Sequence, residues 1–522
     1  MITDLKALVV VLAIAAVIFR LAKPIALRFS SEHDFSRRRK VWFVLTVVAF
    51  LSPNFWLFAL VAIPIMTWAG RKDTNPVAFY LLLLHVIPDV PVNIPAIGVK
   101  ELFALSNYRL LSFCVLIPTA WRLRRSNAAT KSRGTTAVDY LLLAFGLLQI
   151  LIYVPADLPS HVLVPDSATN VLRRAFLFFV DVYVLYYVVS RTCTNKGAIA
   201  EAMATFWLAS AVMALIAVFE SMRHWLLYTD SVMSWADAHP GWHVETAYSF
   251  MRSGSVRAQA SAGHALALGF LLAIAFGFWL YLRSRLESTW SRIAGALVLW
   301  FGLVASFSRG PWIGAAAIYF AFAALGARAF SRLFKATLIA TFVIGALSLT
   351  PPGERLINTL PFLGGTVDSD SVLYRHRLAE RSWELIQQHP LLGDPHAYLQ
   401  MEDLRQGEGI IDLVNTYAEI ALFYGLIGLS LFVGFFLIAL FKAYRLAKTY
   451  ARTDPDAALL GRSLFASILG VLLMLENSSL TGALPILVYV LIGLAGGYAR
   501  LGRSTERKAT LETHLAGSRK PR

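Results

Sequence analysis

The chain has 522 residues, of which 57% are hydrophobic, and carries a net charge of +16 with only two cysteines. A mean hydropathy of +0.60, with repeated apolar runs of the roughly 20 residues that cross a bilayer, excludes a soluble globular enzyme and gives a polytopic membrane protein. The basic excess lies in short loops and the tail, a pattern that reports topology rather than nucleic-acid binding, while Cys114 and Cys193, far apart and each beside an apolar run, give neither a disulfide framework nor a metal site.

The N-terminal stretch MITDLKALVVVLAIAAVIFRLAKPIALRF has an apolar run, no small-residue cleavage site, and Arg20, Lys23 and Arg28 behind it. It reads as an uncleaved first helix. Basic clusters then recur at Ser36 to Lys40, Arg71 and Lys72, Arg122 to Arg133, Arg191 and Lys196, Arg283 to Arg292, Arg328 to Lys335, Lys442 to Arg452, and from Arg500 onward. If all face the cytoplasm, each neighbouring pair is joined by one helix out and one back. Between Lys40 and Arg71 the run breaks at Ser52, Pro53 and Asn54, the signal of a tight helical hairpin with short arms. Similar pairs flank Pro88 to Ser106, Pro155 to Thr169, Arg223 to Ser261, Ser308 to Pro311, Pro351 to Asp412 and Ser478 to Ala483.

The resulting expectation is an all-α membrane protein of roughly 13 to 15 transmembrane helices, with its N-terminus outside and its C-terminus in the cytoplasm. The segments are N-terminal helices over 1–222, central helices over 223–350, an outer loop domain over 351–411, C-terminal helices over 412–500 and a basic tail over 501–522. Two outer segments, Arg223 to Ser261 and Pro351 to Asp412, are too long to be mere connections. In the second, Leu378, Trp383 and Ile386 fall roughly on one face at helical spacing, and His389-Pro390 stops the run, so an amphipathic helix is expected at or above the membrane.

No Walker loop, dinucleotide fingerprint, H-E-x-x-H motif or nucleophile elbow occurs, so transport driven by this chain's own ATP hydrolysis is not indicated. Asp368 and Asp370 are two acids in a polar loop and are read as solvated rather than as a metal site. The outer face is instead cationic. Arg257 enters one apolar run, Arg309 ends another, and Arg375, Arg377 and Arg381 crowd the long loop. A single arginine of this kind is ordinarily a snorkelling anchor or an ion-pair partner. Arg257 and Arg309, each before a helix start where unpaired N–H groups add to anion affinity, point together to a diphosphate, which suits the rigid guanidinium fork.

Four motifs, RAQASAGHALALG (257–269), SFSRGPWIG (306–314), YRHRLAERSWELIQQHPLLGDP (374–395) and VNTYAEIALFYGLIGL (414–429), resemble in order and spacing those of the O-antigen ligase and polymerase family. The resemblance covers about residues 240 to 440. It implies a glycosyltransferase of the periplasmic face of the bacterial inner membrane, acting on glycans carried by undecaprenyl diphosphate and needing neither metal, nucleotide sugar nor other cofactor. By motif position Arg257 and Arg309 are the diphosphate ligands, with Arg375 or Arg377 as the family's loop arginine.

In the family's ligases a histidine opens the helix after the long loop and serves as the favoured base for the acceptor hydroxyl. Here the place is held by Val414, beside Asn415. The nearest titratable substitutes are His396, Asp394 and Asp412, and His264 follows Arg257 closely. His396 and Asp412 join the two arginines as catalytic candidates, and Arg375, Arg377, His264, Asn415 and Glu419 are substrate-binding candidates. Glu419 and Glu476, acids at membrane depth, are expected to face the bundle interior and hold the arginines in place.

The missing histidine favours a polymerase of exopolysaccharide or O-antigen repeat units over a ligase that passes the glycan to another acceptor. The implied partners are the lipid-linked glycan, the bilayer, and the flippase and chain-length regulator of a polysaccharide assembly system, with no nucleic acid. A transporter for a lipid-linked or anionic substrate, or a non-catalytic scaffold, would use the same arginines only to bind; no inverted repeat relates the two halves.

Overall fold

Ile2–Ala26 forms α1, an apolar helix whose last turn carries Lys23, and it packs beside α2 (Glu32–Leu51), which in turn packs on α3 (Phe55–Lys72). The break between α2 and α3 falls where Ser52, Pro53 and Asn54 place it: Asn54 caps α3 by accepting the N–H of Leu57 at 3.0 Å. The computed structural model describes residues 2–88, 90–94, 102–125, 136–152, 168–228, 232, 235, 251–252, 255–327, 329–350, 369–405, 411 and 413–517.

Within these residues the architecture is helical, and strands are confined to two short antiparallel hairpins, Val92–Asn93 with Ala104–Leu105 and Met251–Arg252 with Ser255–Val256. Six helices are long and apolar enough to cross a membrane: Thr3–Ala26, Lys196–Arg223, Ala265–Arg285, Thr416–Thr453, Pro455–Leu475 and Leu484–Gly502. The protein is thus a multi-pass membrane protein of the all-α class. The other stretches expected to span include the shorter apolar helices Ala137–Leu151 and Thr289–Ala305.

Three of these set the centre. They are α10 (Lys196–Arg223), α11 (Ala265–Leu282) and α17 (Pro455–Leu475), against which α12 (Thr289–Ala305) and α13 (Arg309–Ala324) are laid. Close approach comes from glycines: a Cβ on Gly295 of α12 would come within 2.2 Å of the Trp279 ring, itself stacked on Trp207 at 4.5 Å. A Cβ on Gly314 of α13 would likewise meet Met474 of α17 at 2.3 Å.

Pro76–Leu83, α4, departs from the expected pattern of full crossings. Its eight residues are all buried, and at about 1.5 Å per residue they reach less than half a bilayer. Chain that stops inside the bundle is tolerated when neighbours satisfy its backbone. Asn75 caps its start, and the Asn107 amide donates to the carbonyl of Leu84 at 3.1 Å. From Asn107 the chain runs through α5 (Asn107–Leu111), a π-helical turn (Ser112–Leu116) and α6 (Ile117–Arg125). Past α7 (Ala137–Leu151) comes a second such run, α8 (Ala168–Phe178), a π turn (Phe179–Val184) and α9 (Leu185–Thr192), and the two π turns touch.

One end of the bundle is basic and tied by ion pairs. Arg38 of α2 donates to both oxygens of Asp73, at 2.9 and 2.6 Å, and to Glu201 of α10 at 2.9 Å, all three side chains being buried or nearly so. Arg500 reaches Asp139 of α7 at 3.0 Å, Lys196 reaches Asp454 at 2.6 Å, and Arg28 reaches Glu287 at 2.9 Å. Arg285 pairs with Asp456. Arg28, Arg38, Lys196, Arg285 and Arg500 thus tie neighbouring helices together at this end.

Candidate functional site

At the opposite end, α10 finishes in a buried glutamate. Glu220 accepts three backbone N–H groups, from Leu227 at 3.0 Å, Gln259 at 3.0 Å and Ala260 at 2.8 Å. A carboxylate so saturated fixes the segment just after Arg257. A further bond, from the Ala258 N–H to the Ala305 carbonyl at 3.1 Å, lays that segment along the end of α12. Arg257 is thereby aimed across the gap between α12 and α13, where its guanidinium donates to the Ser308 hydroxyl at 3.2 Å.

Ser308 is the residue before Arg309, the first of α13. Two contacts hold that helix start in place. Gly269 of α11 leaves room for Pro311, which a Cβ would approach to 2.6 Å, and the Trp312 indole donates to the Leu303 carbonyl at 2.7 Å. Next to Arg309, Gly310 lies against Asn477, whose Cβ is 3.7 Å from a Cβ built on that glycine. Asn477 also accepts from Arg375 of α15 (Ser369–Gln388), at 3.5 Å. Arg257, Arg309 and Arg375, separated by 118 positions from first to last, are therefore brought to one place by Ser308 and Asn477.

The start of α16 (Thr416–Thr453) joins them. Val414 donates its N–H to Ser479 at 3.0 Å, the Thr416 hydroxyl donates to the Ser478 carbonyl at 2.6 Å, and Asn415 caps the helix through the N–H groups of Tyr417 and Ala418. Helices α11, α13 and α16 thus begin at this end, capped or preceded by His264, Ser308 and Asn415. A helix start carries partial positive charge and aligned N–H donors. Among the described residues four non-glycines take a positive φ, namely His224 (53°), Ala260 (46°), Phe307 (45°) and Val414 (45°). Three lie within three positions of Arg257, Arg309 and Asn415. For a β-branched valine this conformation is strained, and strain of this kind gathers at functional sites.

The long loop is anchored to α16 through a break in that helix. At Gly425, with φ 63° and ψ −172°, the helix opens, and the loop fills the gap: Leu426 and Ile427 donate to the carbonyls of Pro390 and Leu391 at 2.8 and 3.2 Å, while Asp394 donates to the Leu422 carbonyl at 2.8 Å. A Cβ at Gly425 would come 2.1 Å from the Leu391 oxygen. Only glycine fits there. Leu378, Leu385 and Ile386 of α15 pack with Ala397, Met401, Leu404 and Leu422 in a small core of their own.

Several sequence expectations change here. Trp383 is 61% exposed rather than part of the packed face, because the buried stripe runs 378, 382, 385, 386. Glu476 is exposed, since α17 ends at Leu475 and leaves it in the turn beyond. His264 spends Nδ1 accepting the Leu266 N–H at 3.2 Å, which puts the proton of a neutral ring on Nε2 and makes it a donor toward any ligand. His396 is half-buried beside Asp394, near the α16 break at Gly425, which lies about 15 Å along that helix from Asn415. Arg377 is exposed and meets no described residue, and Arg381 is used within the loop by Glu384 and Gln400. Glu419 is half-buried on the first turn of α16. Asp412 and Asp368 lie outside the described residues.

Residues 294–433 match the family model described as O-antigen ligase. This segment is similar to the O-antigen ligase family. It takes in Arg309, α15, the clip between loop and helix, and the start of α16, and begins after Arg257 and His264. No curated protein matches the chain. The match supports a role of ligase or polymerase type on lipid-linked glycans. Sequence reasoning missed Glu220, Ser308 and Asn477, the groups that position its arginines, and His85, buried beneath Ser261.

Proposed function

We propose that the protein polymerises undecaprenyl diphosphate-linked repeat units of an exopolysaccharide or O-antigen at the periplasmic face of the inner membrane. The observation that carries this reading is the meeting of Arg257, Arg309 and Arg375 at the end opposite the ion-paired basic face, a polarity that the positive-inside rule assigns to the outside. Arg257 and Arg309 bind the diphosphate of the donor. An acceptor hydroxyl oxygen attacks the donor's anomeric carbon, the bond from that carbon to the diphosphate oxygen breaks, and the hydroxyl proton passes to a base. Undecaprenyl diphosphate leaves with the bonding electrons. Charge developing on it is met by the two guanidinium groups and by the N-terminus of α13, so the largest share of catalysis is electrostatic.

Val414 accepts no proton; among the candidates nearest it in sequence, His396 sits across the loop clip, and Asp412 is a candidate by sequence position alone. A general base contributes about a hundred to ten-thousand-fold, so the loss in His396→Ala or Asp412→Asn identifies it. Purified protein in lipid nanodiscs, given only the undecaprenyl diphosphate-linked repeat unit with chelator and without nucleotide, is expected to yield a ladder of longer glycans. Binding or movement of that lipid without elongation would return the protein to the transporter class, and transfer only to a different acceptor would make it a ligase.

A further inference from the structure

A second cavity, distinct from the arginine cluster, opens on the far side of the turn after α17. It measures about 340 Å³ and is walled by α7, the π-helical run around Asp181, Tyr108 and Arg109 of α5, Tyr424 of α16, and Gly482 to Ile486. That volume is at the lower end of the roughly 300–1,000 Å³ of small-ligand pockets. Its floor is an ion pair. Arg109 reaches Asp181 from Nε at 3.2 and 3.0 Å and from Nη2 at 2.9 Å, both side chains less than one-sixth exposed. Each partner sits in or just before one of the two π-helical turns, which is where helices are commonly distorted for function. Gln149 and Arg174 also line it, and Tyr108, Tyr424 and Phe178 supply aromatic side chains.

This chemistry suits a sugar ring. Paired planar polar groups match the spacing of vicinal hydroxyls, and aromatic faces cover the apolar C–H face of a pyranose without asking for charge. A lipid tail would bring no hydrogen-bonding group to the polar side chains Gln149, Arg174, Arg109 and Asp181 that line the cavity. The cavity also has a neighbour in the Arg257 motif. Tyr108 lines both it and a small void bounded by His85, Ser261 and Ala262 of the Arg257 motif, with Ala483 closing the turn between them. Tyr424 stands immediately before the break in α16 that anchors the loop.

We infer that this cavity is a glycan subsite, holding a sugar residue of the oligosaccharide one or more units from the reacting end. The inference rests on the glycan-transfer reading and adds a second contact, independent of the diphosphate. It makes recognition bipartite: arginines read the carrier's diphosphate, and the cavity reads the sugar.

The test separates the two. Oligosaccharide released from the cell's own lipid-linked repeat unit by mild acid, and therefore free of diphosphate, is titrated against nanodisc-held protein, as is undecaprenyl diphosphate bearing no sugar. Tyr424→Ala and Gln149→Ala are each expected to weaken oligosaccharide binding about tenfold, the effect of about 1.4 kcal/mol, and to leave undecaprenyl diphosphate binding unchanged. Tyr424→Phe keeps the aromatic face and should stay within about threefold of wild type. Arg309→Ala should do the reverse. Wild-type oligosaccharide affinity in both alanine variants, or no oligosaccharide binding to wild-type protein, overturns the subsite while leaving the diphosphate reading intact. Undecaprenyl diphosphate binding indifferent to Arg309→Ala overturns the parent reading instead.

Discussion

The two ends of this bundle use arginine in opposite ways. At the basic end Arg38 closes on Asp73 and Glu201, Arg500 on Asp139 and Arg28 on Glu287, so each guanidinium answers a carboxylate and binds helices together. At the other end Arg257 donates to a serine hydroxyl and Arg375 to an asparagine amide oxygen, and the buried acid Glu220 faces backbone N–H groups. A structural arginine is therefore recognised by what it touches. Arginines gathered at helix starts, where N–H groups point the same way, suit an anion that arrives from outside.

The sharpest break in that comparison comes from Arg309. Arg309→Ala should lower the rate of glycan elongation about a hundred- to a thousand-fold, the cost of losing one donor to developing charge, with the amount of folded protein unchanged. Arg309→Lys should be nearly as damaging, because a point charge does not replace the bidentate fork. Elongation at the wild-type rate in the lysine variant would reduce Arg309 to an anchor.

Arg38→Ala should do the opposite. It leaves Asp73 and Glu201 buried without their cation and should cost about 3–5 kcal/mol, seen as loss of monodisperse protein in detergent. Intact yield in Arg38→Ala would show that the basic end is not held by its ion pairs.

Gly425→Ala should act between these extremes. The new methyl group meets the Leu391 carbonyl and strains a left-handed backbone, about 1–3 kcal/mol, so the loop should detach from α16 while the bundle survives. Limited proteolysis within 389–405 reads this directly, and unchanged protection would contradict the clip. Val414→Asn should stabilise by about 1 kcal/mol in thermal unfolding, since asparagine tolerates the positive φ that valine holds there.

The smallest effect concerns pH at the basic end. The Lys196 hydrogen bond holds the Asp454 carboxyl below the usual carboxylate range, against a weaker opposing push from burial. A carboxyl with a depressed folded pKa contributes stability in full above its unfolded value, about 3.9, and loses it as pH falls through the lower folded value. The difference in melting temperature between wild type and Lys196→Met should be flat from neutral pH to about 5 and disappear in stronger acid. The pair is about one-third exposed, so it is worth about 0.2–1 kcal/mol.

Much of the fold was legible because it is local. Ser52-Pro53-Asn54 ends one helix and caps the next whatever surrounds it, and the apolar runs of α10, α11 and α17 declare their length. The order of the arginine motifs likewise revealed which segments carry chemistry. What periodicity hid is long-range. Glu220 looks like any acid in a last helical turn, and its role appears only when residues 259 and 260 fold back onto it. Asn477 is an unremarkable turn residue until Arg375 and Gly310 reach it from separate helices. Trp383 was misassigned because its angle on α15 is close to that of the true stripe, and only packing against Ala397 and Met401 decides between them. The shortness of α4 is hidden for the same reason, as its apolar sequence suits a buried stub and a membrane span equally.

The central claim, that the arginines opposite the basic end bind the carrier's diphosphate, is tested most directly by equilibrium binding of undecaprenyl diphosphate, beside undecaprenyl monophosphate, to nanodisc-held wild type, Arg257→Lys and Arg309→Lys. Wild type is expected to favour the diphosphate, and each lysine variant to lose most of that preference while still binding the monophosphate. Equal affinity of all three proteins for the diphosphate would contradict it.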